Sequence, residues 1–376
     1  MKLYKLGIVI PAYNAQKTIG NTLRSISLQT IAKDVKVYIA NDNPDHKASD
    51  YELDNWPFEI EFIDCTENKG PGIARDRGLQ KVEEPFVTFI DADDVFFTPV
   101  ALERLLSGFV NPNIIEVQTA FASVVRNVPD RNGNIQPVAL APRNDVTHPW
   151  VFGRVYSTKF LKENKIGFDD LRAMEDGEFN MKIRLLIEGS NLGINVIDDI
   201  AYLWNEGSEH SITRNIWKER PNIPVYNHGA CSVGSSIAFY RAIDFVSKAN
   251  PFNSAIARTA AEIMVERYFN YYESLENYPE YADTNMYVAK WWYDRVVKKF
   301  AANISEDVFE DIYMQKLQYH NLKHFPEKTF RQWFNDVDNF SKTVDEVVNE
   351  IPEDLRKQEA LSGCTTESAL KIMEKE

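Results

Sequence analysis

The sequence predicts an α/β domain built on a parallel sheet over residues 1–215, followed by an α-helical region over residues 216–376. Three observations lead there. Continuous apolar runs such as Leu6-Gly7-Ile8-Val9-Ile10 read as strands buried on both faces, a pattern that belongs to parallel sheets. These runs alternate with segments of helical spacing, and such alternation makes a sheet covered by helices on both sides. From about Trp217 the strand pattern stops and only helical periodicity remains.

Taken in order, the first strand closes at Pro11, and Asn14 is placed to cap a helix whose apolar residues Ile19, Leu23 and Ile26 keep helical spacing. Val35 to Ala40 is the second strand and ends in the polar turn Asn41-Asp42-Asn43-Pro44-Asp45. Ile60 to Ile63 is the third. After Asn68-Lys69-Gly70, Pro71 takes the first helical position of a helix that runs to about Lys81. Pro85 to Ile90 is the fourth strand, and it runs straight into Asp91-Ala92-Asp93-Asp94.

Parallel sheets of this kind bind ligands beyond the carboxyl ends of their strands, so Pro11-Ala12-Tyr13, Asn41-Asp42-Asn43 and Asp91 to Asp94 should converge on one cleft. Strand alternation sends Asp91 and Asp93 to the same side, where they can share a cation. The alternative is a polar strand-to-helix turn in which Asp94 or Thr98 caps the helix opened by Pro99. Tyr13 can stack on a flat ring, and Asp42 can accept a hydrogen bond from a base N–H. Neither Gly-x-Gly-x-x-Gly nor a phosphate-binding lysine loop is present, so a divalent cation is expected to neutralise the phosphates.

The run Ile8 to Asn14, then Asn41-Asp42-Asn43, then Asn68 to Gly78 with Arg75 inside it, then Asp91-Ala92-Asp93-Asp94, closely resembles the family-two inverting glycosyltransferases in order and spacing. The resemblance implies the nucleotide-diphospho-sugar fold called GT-A and an Asp-x-Asp motif working with manganese or magnesium. It implies that Asp42 contacts the base, usually uracil, that Arg75 supports the nucleotide loop, and that Asp91, Asp93 and Asp94 divide ribose and metal contacts, Asp93 foremost. Pro11, Ala12, Tyr13 and Ala92 would complete the nucleotide-sugar site. Two departures stand out: Asn41-Asp42-Asn43-Pro44 where the family commonly has Asp-Asp-Gly-Ser, and Asp76 in place of a common Asn.

Further along, Pro99 to Gly108 is a short helix with Leu102, Leu105 and Leu106 on one face. Ile114 to Val125 alternates as an extended segment, and Asp130 to Asn134 is a hairpin turn signal. Trp150 is a candidate platform for the acceptor sugar, or else a core aromatic. Met174-Glu175-Asp176-Gly177-Glu178 precedes a helix with Phe179, Ile183, Leu186 and Ile187 inward, and acidic residues there can be a simple helix cap. Inverting transfer needs a base beside the acceptor hydroxyl. By resemblance Asp176 is that base and Glu175 orients hydroxyl groups. Leu192 to Ile197 and Ala201 to Trp204 read as two closing strands. The polar stretch Asn205 to Arg214 resembles the family's loop after the base helix, with His210 on the metal or diphosphate and Arg214 on the diphosphate. The Gln-x-x-Arg-Trp signature of processive synthases is missing, so the expectation is one sugar per reaction.

In the last part, helices are expected from Asn253 or Ser254, through Val288 to Phe300, after Ser305, and after a capping box at Thr343-Val344-Asp345-Glu346. Glu353 to Glu376 is charged and is expected to be partly disordered. The aromatic residues of this region read as a packed core, with acceptor binding or subunit contact, and hence a homo-oligomer, as the functional alternative.

At 44% hydrophobic residues the chain can bury a full core, and a net charge of −14 disfavours nonspecific attraction to nucleic acid or anionic lipid. Cys65, Cys231 and Cys364 are too scattered for a disulfide framework or a cysteine zinc site. No secretory leader precedes the first strand and no apolar run approaches the ~18 residues of a membrane span, so a cytoplasmic protein is expected. The expected activity is transfer from a nucleotide sugar, through Asp42 a uridine diphosphate sugar, to a hydroxyl acceptor, most commonly a glycan. The competing readings are transfer to a hydroxylated base in phage DNA, which the acidic charge opposes, and a catalytically silent nucleotide-sugar binder. A nucleotidyltransferase would show a Gly-rich activating loop, which Pro11 to Lys17 lacks.

Overall fold

The computed structural model describes residues 4–129, 135–143, 149–171, 174–205, 230–250, 254–300, 306–317, 328–357, 359–361 and 364–376. The chain divides into two compact units, Met1–Asn180 with Gly189–Arg214, and Met181–Glu188 with Asn215–Glu376.

The first unit is organised by one nine-stranded sheet with strand order β3-β2-β1-β4-β8-β6-β9-β5, and β7 paired to β6. β1 (Leu6–Ala12), β2 (Val35–Asn41), β3 (Glu59–Ile63) and β4 (Phe86–Phe89) form its parallel half. β1 reads LGIVIPA and is buried almost throughout, because helices cover it on both sides. α1 (Ile19–Ser27) turns Ile19, Leu23 and Ile26 into the core as their spacing predicts. α2 (Pro71–Lys81) lies so close to the sheet that a Cβ on Gly78 would stand 2.4 Å from Val9 Cγ1. Only a hydrogen fits there.

The expected all-parallel sheet holds only as far as β4. Beyond it β8 (Arg154–Ser157) runs antiparallel to both β4 and β6 (Ile114–Pro129), while β6 and β9 (Gly193–Trp204) are parallel. The two closing strands foreseen are one strand, β9, whose register against β6 shifts around Thr119 and Ala120. The two-residue β5 (Val95–Phe96) pairs with β9 directly after the acidic turn. β6 and β7 (Ile135–Arg143) are antiparallel neighbours, as the hairpin signal foretold; the turn between them lies outside the described residues.

One capping expectation fails, and so does the capping alternative for the acidic turn. Asn14 has a left-handed backbone (φ 53°) and caps no helix with its side chain; its Oδ1 instead accepts from Asn43 Nδ2 at 2.6 Å. Neither Asp94 nor Thr98 caps α3 (Ala101–Ser107), whose N-cap is Val100. α4 (Thr158–Glu163) follows β8, and in α5 (Glu175–Ile187) Phe179 and Ile183 are buried as foreseen, but the third buried apolar residue is Leu185, with Leu186 and Ile187 half-buried.

The second unit is helical. Ser254–Asn277 and Glu306–Leu317 fall where helices were expected, and Ala282–Trp292 continues to Phe300 through a wider turn at Tyr293–Val297. Thr343 and Glu346 form the reciprocal capping box read from the sequence, ahead of Val344–Glu350. Ala230–Ala249 and Phe330–Asn339 are further helices. Within the stretch expected to be partly disordered, Thr366–Lys375 is a helix capped by Thr365, with Ala369, Leu370 and Met373 buried. Tyr268, Phe269, Trp292 and Trp333 are buried, so this aromatic density is core.

Candidate active site

β1 and β4 are adjacent strands whose connections leave in opposite directions, and this is where an open sheet of this type gapes at its carboxyl edge. Ile90 N donates to Val9 O (3.1 Å) and Asp42 N donates to Ala12 O (2.8 Å), so Pro11-Ala12-Tyr13, Asn41-Asp42-Asn43 and the acidic turn meet at that edge as predicted. Tyr13 is 57% exposed and available to stack on a ligand. Asp42 is buried: its Oδ1 accepts from Lys69 N (3.1 Å) and Arg77 Nη2 (3.3 Å), and its Oδ2 accepts from Gly70 N (2.7 Å). The carboxylate therefore ties the end of β2 to the start of α2.

At the centre stands Arg75, on the second turn of α2 and 5% exposed. Its Nη2 donates to Asp91 Oδ1 (2.8 Å), and its Nη1 donates to Glu175 Oε1 (2.8 Å) and Asp176 Oδ1 (3.0 Å). Asp176 Oδ2 accepts from Val151 N (3.2 Å). A single guanidinium thus joins the acidic turn to the start of α5, which the sequence placed 100 residues away. Gly72 allows the approach, since a Cβ there would stand 2.9 Å from Asp169 O and 3.1 Å from Glu175 Cβ.

Three carboxylates around one cation leave an excess of negative charge. Burial opposes the charge on Arg75, but Asp176, Asp91 and Glu175 outweigh it and hold the guanidinium firmly charged. Burial pushes Glu175 up to about 7, reinforced by the Asp176 charge and opposed by Arg75. Asp176 is raised as well, by burial first, against the pull of Arg75. Of the two, Glu175 is the one that holds its proton towards neutrality.

In the acidic turn Asp91 and Asp93 are partly exposed, whereas Ala92 and Asp94 are buried, the alternation the sequence predicted. Asp94 is raised by burial and by the charges of Asp93 and Asp91. Its Oδ1 accepts from Asn205 N (2.7 Å) and its Oδ2 from the Tyr202 hydroxyl. Burial, then the charges of Asp94 and Asp91, hold Tyr202 protonated. Among the described residues no three His, Cys, Asp or Glu side chains form a metal cage. Asp91 and Asp93 offer hard carboxylate oxygens, which suit magnesium or manganese when substrate phosphates complete the shell.

Trp150 is 36% exposed and lies parallel to Phe152 (centroids 5.4 Å apart), which stacks on Tyr202 (4.5 Å). His210 and Arg214 lie outside the described residues. Sequence reasoning gave no individual role to Tyr202, Asn205 or Arg77: Arg77 lies inside the Asn68–Gly78 run and Asn205 opens the Asn205–Arg214 stretch, but all three act on residues distant in the chain.

The glycosyl transferase family 2 model matches residues 7–166. Residues 7–166 therefore match a family-two glycosyltransferase domain, and the mixed sheet with flanking helices has the GT-A fold of such domains. Among curated relatives, it is 26% identical over 209 residues to poly(ribitol-phosphate) β-N-acetylglucosaminyltransferase TarS of Staphylococcus aureus strain Mu50, covering 54% of this chain and 35% of TarS. It is 28% identical over 165 residues to the succinoglycan biosynthesis protein ExoU of Rhizobium meliloti, covering 43% and 46%. The chain spans less than half the length of these relatives. Among solved structures, S. aureus TarS 1–349 with UDP-GlcNAc is 18% identical with a TM-score of 0.44, covering 87% of this chain and 95% of that one. The mannosyltransferase PcManGT of Pyrobaculum calidifontis with GDP-Man and Mn2+ is 14% identical with a TM-score of 0.46, covering 89% and 84%. No helix among the described residues is long and apolar enough to cross a membrane.

Proposed function

We propose that this chain moves a single sugar from a nucleotide diphosphosugar to a hydroxyl acceptor with inversion at the anomeric carbon, with the aid of a divalent cation. The observation that carries the reading is Arg75, whose guanidinium holds Asp91 of the donor turn and the Glu175–Asp176 pair at once. Donor and base are thereby kept within the span of one side chain.

In this mechanism Tyr13 stacks on the nucleobase, and Asp42 meets its N–H while fixing the loop at Lys69 and Gly70. Asp93 and Asp91 are the residues that would hold the cation. When bound, a manganese or magnesium ion supplies positive charge that stabilises the departing nucleoside diphosphate. Asp176 takes the proton from the acceptor hydroxyl as its oxygen forms the new bond to the anomeric carbon, while the bond to the diphosphate oxygen on the opposite face breaks. Glu175 orients the hydroxyl. Arg75 keeps Asp176 ionised against its burial, and Trp150 offers a face to the acceptor ring. A uridine donor accords with Asp42, and a hydroxyl-rich surface polymer as acceptor accords with relatives named for acting on poly(ribitol-phosphate). The helical unit is proposed to bind acceptor or join subunits.

Thermal unfolding against a panel of nucleoside diphosphates and their sugars, with and without manganese, tests the donor site. Ligand at ~100 times its dissociation constant adds about 2.7 kcal/mol. A manganese-dependent rise in Tm with one base is the expected outcome; a flat panel would overturn the reading.

A further inference from the structure

Asp94, the last carboxylate of the acidic turn, is 1% exposed and bonded in every direction. Its N–H donates to Asp91 O (3.1 Å), and its main-chain O accepts from Thr22 Oγ1 of α1 (2.7 Å). One side-chain oxygen accepts from Asn205 N (2.7 Å) and the other from the Tyr202 hydroxyl. That hydroxyl in turn accepts from Asp91 N (3.3 Å), while Asn205 Nδ2 donates to Asp93 O (3.3 Å). The backbone of all three acidic residues is therefore held by groups that converge on Asp94. Asp91 and Asp93, in contrast, are partly exposed.

Resting on the donor-site reading above, we propose that Asp94 is not a cation ligand but a positioning residue: with Thr22, Tyr202 and Asn205 it is the strut that fixes the turn so that Asp91 and Asp93 face the donor. A carboxylate that is 1% exposed, accepts on both oxygens from inside the fold and has its main chain pinned would have to leave that seat to face a cation at the donor cleft. Tyr202 gives the strut a second reach. Its ring closes the stack through Phe152 to Trp150, so one side chain borders both the donor turn and the aromatic surface assigned to the acceptor.

The test compares Asp94→Asn, Asp94→Ala, Tyr202→Phe and Asp93→Asn by calorimetric titration of UDP at graded manganese concentrations, together with amide hydrogen exchange. An amide at position 94 keeps an acceptor for Asn205 N and offers an N–H to the Tyr202 oxygen. Asp94→Asn should therefore retain manganese-dependent UDP binding, weakened no more than about threefold, whereas Tyr202→Phe and Asp94→Ala should weaken it about threefold to tenfold or more, the size of a lost buried hydrogen bond. Asp93→Asn should lose the manganese dependence. Asp94→Asn losing it as completely as Asp93→Asn would overturn the strut and make Asp94 a ligand.

Hydrogen exchange decides independently of nucleotide. Tyr202→Phe should speed exchange at the Asp91 and Asn205 amides while Asp94→Asn leaves them close to wild type; unchanged rates in Tyr202→Phe would also overturn the proposal. Wild type that binds no UDP at any manganese concentration would sink the donor reading instead, with the exchange rates still deciding the strut. If Asp94→Ala fails to fold, Tyr202→Phe, which removes one oxygen, carries the test.

Discussion

Asp91 and the Glu175–Asp176 pair lean on the same guanidinium from opposite surroundings. The Asp91 side chain is 36% exposed, against 11% for Glu175 and 12% for Asp176. Water can still solvate Asp91, which on the proposed mechanism leaves it open to a cation while Arg75 holds its Oδ1. The buried pair lacks that freedom: its charge depends on Arg75, and burial raises both carboxyl groups, Glu175 to about 7. On the proposed mechanism the three acidic residues on one arginine divide into a side that would handle charge and a side that would handle protons, and solvent access makes the division.

Arg75→Ala strikes both sides and should have the largest effect. It strips two buried carboxylates of their cation, and breaking such a pair costs about 3–5 kcal/mol. Thermal unfolding should fall accordingly, with loss of both manganese-dependent nucleotide binding and transfer. Asp176→Asn isolates the proton side. Transfer should drop about 10²–10⁴-fold, with the nucleotide titration unaltered; a fully active variant would remove Asp176 as the base.

Glu175→Gln sharpens the comparison through pH. Glu175 has a folded-state pKa of about 7, above its ordinary 4.5, so the folded protein binds the proton more tightly than the unfolded chain does. Its stabilising contribution is complete below pH 4.5 and is lost as pH rises to about 7. Relative to wild type, Glu175→Gln should gain on the order of 1–3 kcal/mol in unfolding free energy across that window, and the acid limb of kcat/KM should move to lower pH. A stability difference independent of pH would contradict the coupling. Trp150→Ala is the mildest change. Loss of one aromatic face should raise the acceptor KM about two- to tenfold, from about 0.5–1.5 kcal/mol of ring contact, with the donor KM unchanged.

Much of the donor half was readable because its chemistry is local. Strands buried on both faces announce themselves as unbroken apolar runs, and the residues at their ends follow in the chain, so β1 to β4 and the acidic turn could be placed. What depends on distant pairing could not. Nothing in Ala201-Tyr202-Leu203-Trp204 says that the tyrosine serves Asp94, 108 residues earlier, nor that β6 and β9 run parallel while β8 opposes both. The resemblance supplied Arg75, Glu175 and Asp176 as separate motifs, and their union on one guanidinium is a tertiary fact. The helix Ala230–Ala249 escaped for a different reason: its buried face carries Ser232 and Ser236 among Val233, Ile237 and Ala238, which dilutes the apolar stripe. At the far end, charge hid the buried residues Ala369, Leu370 and Met373 of a capped helix.

The bare hydrogen on Gly78 has a reach beyond its own contact with Val9. It lies three residues, just under one turn, beyond Arg75 on the same helix, so the spacing between α2 and β1 also sets the depth at which the guanidinium sits. Adding a single methyl at 78 would act as a shim under that helix and lift the arginine away from three acidic partners, although nothing near the chemistry had been altered. In this fold the tolerance on electrostatic geometry is set by the thickness of a hydrocarbon layer, and selection on the proposed reaction would be felt at a position set apart from the acidic cluster itself.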